Sequence, residues 1–138
     1  MNPVRAYIAL GGNLGDREAN LAFAISRIRL LPDTRFVGGS TVEETAPLND
    51  LDQPRYLNQM VALDTDLAPR ALLDACHRIE AEAGRVRAER WASRTLDLDL
   101  VVYDDLVLEE PGLTLPHPGL KDRAFWQREL AELRLRGW

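Results

Sequence analysis

The chain has 138 residues, of which 46% are hydrophobic and 28% charged, and a formal net charge of -5. That length buries a continuous core and predicts a single domain over residues 1–138, and the composition excludes disordered, collagen-like and repeat classes. The acidic balance argues against a nucleic-acid partner, which needs a basic face to neutralise phosphates, while leaving room for a local pocket for one small anion.

Val4 to Leu10 is apolar and rich in β-formers, and Gly11-Gly12-Asn13 follows it, which predicts a buried strand closed by a tight turn. The continuous apolar run within it, Tyr7 to Leu10, is too short for a signal h-region, and nothing later approaches the length of a membrane span, so a cytoplasmic protein with no membrane partner is expected. Asp16 is placed to cap a helix whose apolar face is Leu21, Ala24, Ile25, Ile28 and Leu31, ended by Pro32-Asp33. Phe36 to Thr45 and Tyr56 to Leu63 have strand character, and APLNDLDQPR between them has the Pro, Asn and Asp content of a long exposed loop. Pro69 fits the first turn of a second helix with Leu72, Leu73, Cys76, Ile79 and Ala83 on its apolar face, and Gly84 is placed to stop it. Cys76 is the only cysteine, which excludes a disulfide framework and a cysteine zinc site and agrees with a reducing compartment. Within the helix stripe it reads as a small buried hydrophobe. The basic stretch RVRAERWASR then leads into RTLDLDLVVYDD.

The order strand, helix, strand, strand, helix, strand is the βαββαβ core of ferredoxin-like α+β folds, an antiparallel sheet with both helices packed on one face. The tail adds a turn-rich segment, EEPGLTLPHPG, and an extra C-terminal helix in which Phe125, Leu130 and Leu133 face the core.

Alternation in the last core strand points Leu96, Leu98, Leu100 and Val102 one way and Thr95, Asp97, Asp99, Val101 and Tyr103 the other. The leucines meet the helices, and the two aspartates share the open face with Cα atoms roughly 7 Å apart. Carboxylates drawn to ~4 Å repel by about 4 kcal/mol at an effective dielectric of 20, which cations or arginines must offset. Hard oxygen ligands suit Mg²⁺, which completes its shell with water and substrate phosphates. A pair of solvated aspartates on an exposed sheet face is the alternative, and Asp-x-Asp alone does not exclude it. Arg85, Arg87, Arg90 and Arg94 cluster just before the aspartates in an otherwise acidic chain, and guanidinium groups recognise phosphate oxygens in pairs. Pairing with Glu80, Glu82 and Glu89 in a solvated loop is the alternative for them. Trp91 within that loop favours a lid that closes over a flat heterocycle. Gly11-Gly12-Asn13 lacks the spacing of a P-loop or dinucleotide fingerprint. His117, between Pro116 and Pro118, either donates to a phosphate or holds a rigid turn, and no second histidine at ligand spacing supports zinc.

RWASRTLDLDLVVYDD followed by LTLPHPGLKDRAF resembles the signature region of the 6-hydroxymethyl-7,8-dihydropterin pyrophosphokinases, whose usual form is R-W-G-P-R-T-L-D-L-D, then L-x-x-P-H and a downstream R-x-F. YIALGGNLGD and TAPLNDLDQPRYLNQMVAL extend the resemblance over nearly the whole chain. It implies the ferredoxin-like fold and transfer of the pyrophosphoryl unit of ATP to the hydroxymethyl group of the dihydropterin, releasing AMP in folate biosynthesis, with two magnesium ions. Asp97 and Asp99 would ligate both ions, Arg85 and Arg94 would stabilise charge on the transferring group, and Arg87 matches a further lid arginine. Tyr56 and Phe125 would sandwich the pterin, Asn58 would bond its edge, backbone groups of Thr45 and Leu48 would complete its recognition, and Trp91 would close from the lid. The matching ATP positions are His77, Glu80, Leu100, Thr114, His117 and Arg123, beside Arg85, Arg87, Trp91 and Arg94. The chain departs from the pattern at Ala92-Ser93, which replaces Gly-Pro, in a lid one residue shorter than in longer relatives, at Gly112 and Pro118, and in the polar WQRELAEL near its end. A monomeric pyrophosphokinase is the resulting expectation. A non-catalytic pterin- or nucleotide-binding domain of the same fold is one alternative. Two-metal phosphodiester hydrolysis is another, and it leaves Tyr56, Asn58 and Phe125 unexplained.

Overall fold

A computed structural model of the chain describes residues 3–47, 53–84 and 95–138. Strand β1 (Val4–Gly12) is followed by helix α1 (Arg17–Ile28), strands β2 (Thr34–Gly39), β3 (Glu43–Thr45) and β4 (Tyr56–Thr65), helix α2 (Pro69–Glu82) and strand β5 (Asp97–Tyr103). A hairpin of β6 (Leu108–Glu110) and β7 (Leu113–Leu115), a 3-10 turn over Pro118–Lys121 and helix α3 (Ala124–Leu135) complete it. The main sheet runs β2-β4-β1-β5 with antiparallel pairs throughout, and β3 extends it along β4. This is the ferredoxin-like arrangement expected from the element order, with an added C-terminal helix.

The caps explain the helix bounds. Asp16 accepts the Ala19 amide at the start of α1, Pro69 opens α2, and Gly84, at φ 80, follows its end. Leu21, Ala24 and Ile28 of α1 and Leu72, Cys76 and Ile79 of α2 pack on Ile8, Leu10, Leu63, Leu96, Leu98 and Leu100. Cys76 is wholly buried there, and burial pushes its thiol well above the usual range, as expected of an inert core residue. A second cluster lies on the opposite face, where Trp126, Leu130 and Leu133 of α3 cover Tyr7, Ala9, Met60, Ala62, Val101 and Val102.

Four expectations change. The strand foreseen from Phe36 to Thr45 is two strands: Ser40 still donates its amide to the Met60 carbonyl at 2.8 Å, but its hydroxyl accepts the Met60 amide at 2.9 Å, and the Thr41 amide goes to the Glu132 carboxylate at 2.9 Å. Gly11-Gly12 is strand rather than turn; a side chain on Gly11 would come within 2.9 Å of Asn58 Oδ1, so the glycine admits a neighbour. A bulge in β5 pairs Ile8 with Leu100 but Tyr7 with Val102 and Ala6 with Tyr103, leaving Val101 as the extra residue. Val102 therefore joins the α3 face and Tyr103 the α1/α2 face, the reverse of simple alternation. Finally, the turn-rich tail segment folds as the β6-β7 hairpin.

The C-terminal residue fastens the second face: the Tyr7 hydroxyl donates to the Trp138 carbonyl at 2.7 Å, and a side chain on Gly38 would fall inside the Trp138 indole. Gly38→Ala should therefore lower stability by about 1–3 kcal/mol in urea unfolding with the slope of the transition unchanged.

Candidate active site

Strand register determines which side chains meet. On β4, Tyr56 and Asn58 share the face of Met60 and Ala62; β3 places Thr45 opposite Tyr56 and Glu43 opposite Asn58. On β1, Gly11 lies between Asn58 and Asp97, and Ala9 between Met60 and Asp99. Thr45, Tyr56, Asn58, Asp97 and Asp99 thus occupy one face of the sheet, the face away from α1 and α2, with Phe125 at the start of the helix that packs there. Asn58 is buried and its Nδ2 donates to Thr45 Oγ1 at 2.6 Å, which fixes the amide over Gly11.

Leu98 lies between the aspartates and points into the core at 2% exposure. Its amide donates to Glu80 Oε2 at 2.8 Å, so the last turn of α2 closes a backbone donor on the edge strand of the sheet. Glu80 itself is buried. Sequence reasoning assigns Glu80 to the nucleotide by resemblance; the hydrogen bond ties it to the backbone that carries both carboxylates.

His117 reaches the same pair from the other side. Its amide donates to the Val101 carbonyl at 2.8 Å, and its Nδ1 accepts the Gly119 amide at 2.9 Å, which leaves the neutral ring's proton on Nε2. Nε2 stands 3.7 Å from Asp99 Oδ1. The ring packs edge-on against Trp126 at 5.0 Å between centroids, and the Arg123 guanidinium stacks on the same indole at 4.5 Å. Burial first, and the Arg123 charge second, hold the His117 pKa below its ordinary value. Gly119 has no side chain where Arg123 passes; a Cβ there would meet the guanidinium.

Of the remaining candidates, Leu100 is buried among the α1/α2 core, so its side chain is unavailable to a ligand. Thr114 is exposed on β7, and His77 is exposed on α2. Leu48, Arg85, Arg87, Trp91 and Arg94 lie outside the described residues. Trp126, which organises His117 and Arg123, escaped sequence reasoning, although it precedes Leu130 and Leu133 at helical spacing.

Asp99 is 39% exposed, and hard carboxylate oxygens on an accessible sheet face suit a divalent cation. Among the described residues no group of three or more His, Cys, Asp or Glu side chains is arranged to hold a metal, so a cation at Asp97 and Asp99 would draw other ligands from water and phosphate. Among the same residues no helix is long and apolar enough to cross a membrane.

A ferredoxin-like α+β protein with its candidate site on the sheet face away from α1 and α2 is the class that the fold defines. Residues 7–135 match the model of the 7,8-dihydro-6-hydroxymethylpterin-pyrophosphokinase (HPPK) family, and the chain belongs to that family. It is similar to the 2-amino-4-hydroxy-6-hydroxymethyldihydropteridine pyrophosphokinase of Pseudomonas aeruginosa, at 45% identity over 94% of this chain and 80% of that protein. The Methylorubrum extorquens enzyme of the same name is 43% identical over 94% of the chain and 82% of its own length. That of Haemophilus influenzae is 42% identical over 88% and 76%.

Two outcomes test the geometry. Glu80→Ala should cost about 1–3 kcal/mol of unfolding free energy by stranding the Leu98 amide, with Glu80→Gln recovering most of it. His117 favours its neutral form in the fold, so its contribution is present above its ordinary pKa of 6.5 and lost as pH falls through the lower folded value. The thermal-stability advantage of the wild type over His117→Asn should accordingly shrink on acidification below about 6.5.

Proposed function

We propose that the chain transfers the β,γ-pyrophosphoryl group of ATP to the hydroxymethyl oxygen of 6-hydroxymethyl-7,8-dihydropterin, yielding the dihydropterin diphosphate and AMP in folate biosynthesis. The observation that carries this reading is the common face: two carboxylates suited to magnesium lie on the same side of the sheet as Tyr56, Asn58 and the buried Asn58–Thr45 hydrogen bond. A phosphodiesterase has no use for the second half of that surface.

Two magnesium ions at Asp97 and Asp99 would neutralise the triphosphate and help activate the attacking hydroxyl. In this reading the ring of the pterin stacks between Tyr56 and Phe125, and Asn58 bonds its edge from an amide already oriented by Thr45. Backbone groups of Thr45 and Leu48 complete that edge. His117 donates Nε2–H to a phosphate oxygen beside Asp99, and Arg123, flat against Trp126, adds a second donor with little freedom to lose. Arg85 and Arg94 stabilise the charge on the transferring group, while Arg87 and Trp91 close over the nucleotide. Thr114, His77 and the backbone at Leu100 complete the ATP side. Glu80 acts from beneath, by fixing the strand between the carboxylates. The protein works as a cytosolic monomer on these small-molecule substrates.

Incubation of the pure protein with ATP, MgCl₂ and the hydroxymethyl-dihydropterin should release AMP. Release of ADP or absence of turnover counts against the proposal, and tight binding of both substrates without AMP favours a non-catalytic binding domain. Asp97→Ala should lower kcat by about 10²–10³-fold with circular dichroism unchanged, because the residue lies off the leucine face; a folded variant with full activity removes Asp97 from the mechanism.

A further inference from the structure

Under α3 the fold holds a carboxyl pair that the proposed reaction does not use. Glu129 is 2% exposed, and among the described residues neither of its oxygens has a hydrogen-bond donor; Glu43 Oε2, which is also buried, has none among them either. The Arg128–Glu43 ion pair brings β3 against α3 at the residue next to Glu129, and the Glu43 charge acts on Glu129 across that gap. Glu43 Oε1 is occupied by Arg128 Nε at 3.1 Å. On its own helix Glu129 faces Arg128 and Glu132, and Glu132 is engaged by the Thr41 amide at 2.9 Å and by Arg136 at 3.1 Å. From the sheet below, β4 contributes the neutral Asn58, Met60 and Ala62, and Asp64 further along that face is closed by Arg5 and Arg35. On β1 the ionisable groups of that face are Arg5, engaged by Asp64, and Tyr7, whose hydroxyl donates to the Trp138 carbonyl.

Two ionised carboxylates facing each other in a site where Glu129 is buried repel strongly, and the arrangement of lower energy places one proton between them, shared by the pair rather than owned by either residue. We propose that Glu43 and Glu129 share one proton, and that this hydrogen bond is a clamp that sets the width of the pterin slot. The connection is one of position. Glu43 stands opposite Asn58 and two residues before Thr45, on one wall; Phe125 lies one helical turn before Glu129, on the other. The Thr41–Glu132 contact and the Arg128–Glu43 ion pair keep α3 on β3 in either protonation state, so ionisation of Glu129 adds repulsion that widens the gap between them without detaching the helix. Neither glutamate touches substrate. Both are positioning residues, and the slot they set rests on the function proposed above.

The direction in pH follows from the burial. Desolvation, reinforced by Glu43, pushes Glu129 from the ordinary 4.5 up to about 9. Because the folded protein keeps on Glu129 the proton that the unfolded chain loses, stability from protonated Glu129 is full below 4.5, declines as pH rises, and is gone above about 9.

Glu129→Gln tests the clamp, since its amide N–H can donate to Glu43 Oε2 without a titrating proton. At neutral pH the infrared spectrum of the wild type should contain the C=O band of a protonated carboxyl that the variant lacks, and the wild-type Tm should fall relative to the variant's between about pH 5 and about pH 9. Absence of the band, or parallel Tm profiles, overturns the shared proton. The KM for the dihydropterin should rise about threefold more in the wild type than in the variant between about pH 7 and about pH 9, with kcat following one profile in both. Parallel KM profiles overturn the coupling to the slot. If neither protein turns the dihydropterin over, the activity reading and the coupling fail together, while the infrared band decides the shared proton independently.

Discussion

Everything at the site is held in register by the burial of Leu96, Leu98 and Leu100. Each is at most 2% exposed, and burial of such a side chain contributes roughly 1.5–3 kcal/mol. A slip of one residue along β1 would exchange that face for Asp97 and Asp99, so the hydrophobic alternation that stabilises the fold also excludes any register in which the carboxylates point elsewhere. The edge position of β5 makes this lock necessary, because pairing on one side leaves half its backbone groups without a strand partner. Glu80 supplies one such partner at Leu98, and the His117 amide takes the Val101 carbonyl. The carboxylates are therefore positioned by groups on both flanks of the strand rather than by the sheet alone.

The same sheet face is divided between structure and chemistry. Toward the start of β1, Tyr7 and Ala9 are covered by α3; at its end, Gly11 lies under the Asn58 amide beside Asp97. The boundary falls at the row of Ala9 and Asp99, where His117 and Trp126 meet. Trp126 belongs to both halves: its indole fills the α3 core and is also the surface on which Arg123 and His117 are oriented. A loss of packing at that residue would thus disturb both donor groups, which meet the α3 core through its indole.

Much of this was legible in the sequence where local pattern decides structure. The order of elements, the Asp16 cap, Pro69, Gly84 and the facing of Asp97 and Asp99 opposite the leucines all follow from periodicity and turn chemistry within a few residues. What was illegible depends on partners distant in sequence. The Val101 bulge exists only in the pairing of β5 with β1, so alternation assigned Val102 and Tyr103 to the wrong faces. Gly11 looks like a turn glycine because a need for space and a need for unusual torsions leave the same residue behind; Asn58, on another strand, explains it. The break between β2 and β3 similarly requires Glu132, from α3, to compete for the Thr41 amide. Resemblance named Glu80 and His117 as nucleotide contacts, yet the first bonds a strand amide and the second approaches Asp99, relations that no spacing encodes.

The buried Glu129 and its half-buried neighbour Glu43 raise a different question, since they do not maximise stability. Apolar side chains of similar volume at buried charged positions are often as stable or more so, and α3 already has Leu130 and Leu133 for that purpose. Apolar contact is non-directional, so it fixes which face of α3 is buried more firmly than it fixes the width of the gap between α3 and β3. A hydrogen bond between two carboxyl oxygens tolerates little displacement, and it joins the only part of β3 that lies beside Asn58 to the part of α3 that lies one turn from Phe125. The polar pair thus trades free energy for position. That exchange is intelligible if the gap between β3 and α3 must match a flat ring, for which a shift of a fraction of a van der Waals radius separates stacking contact from a void.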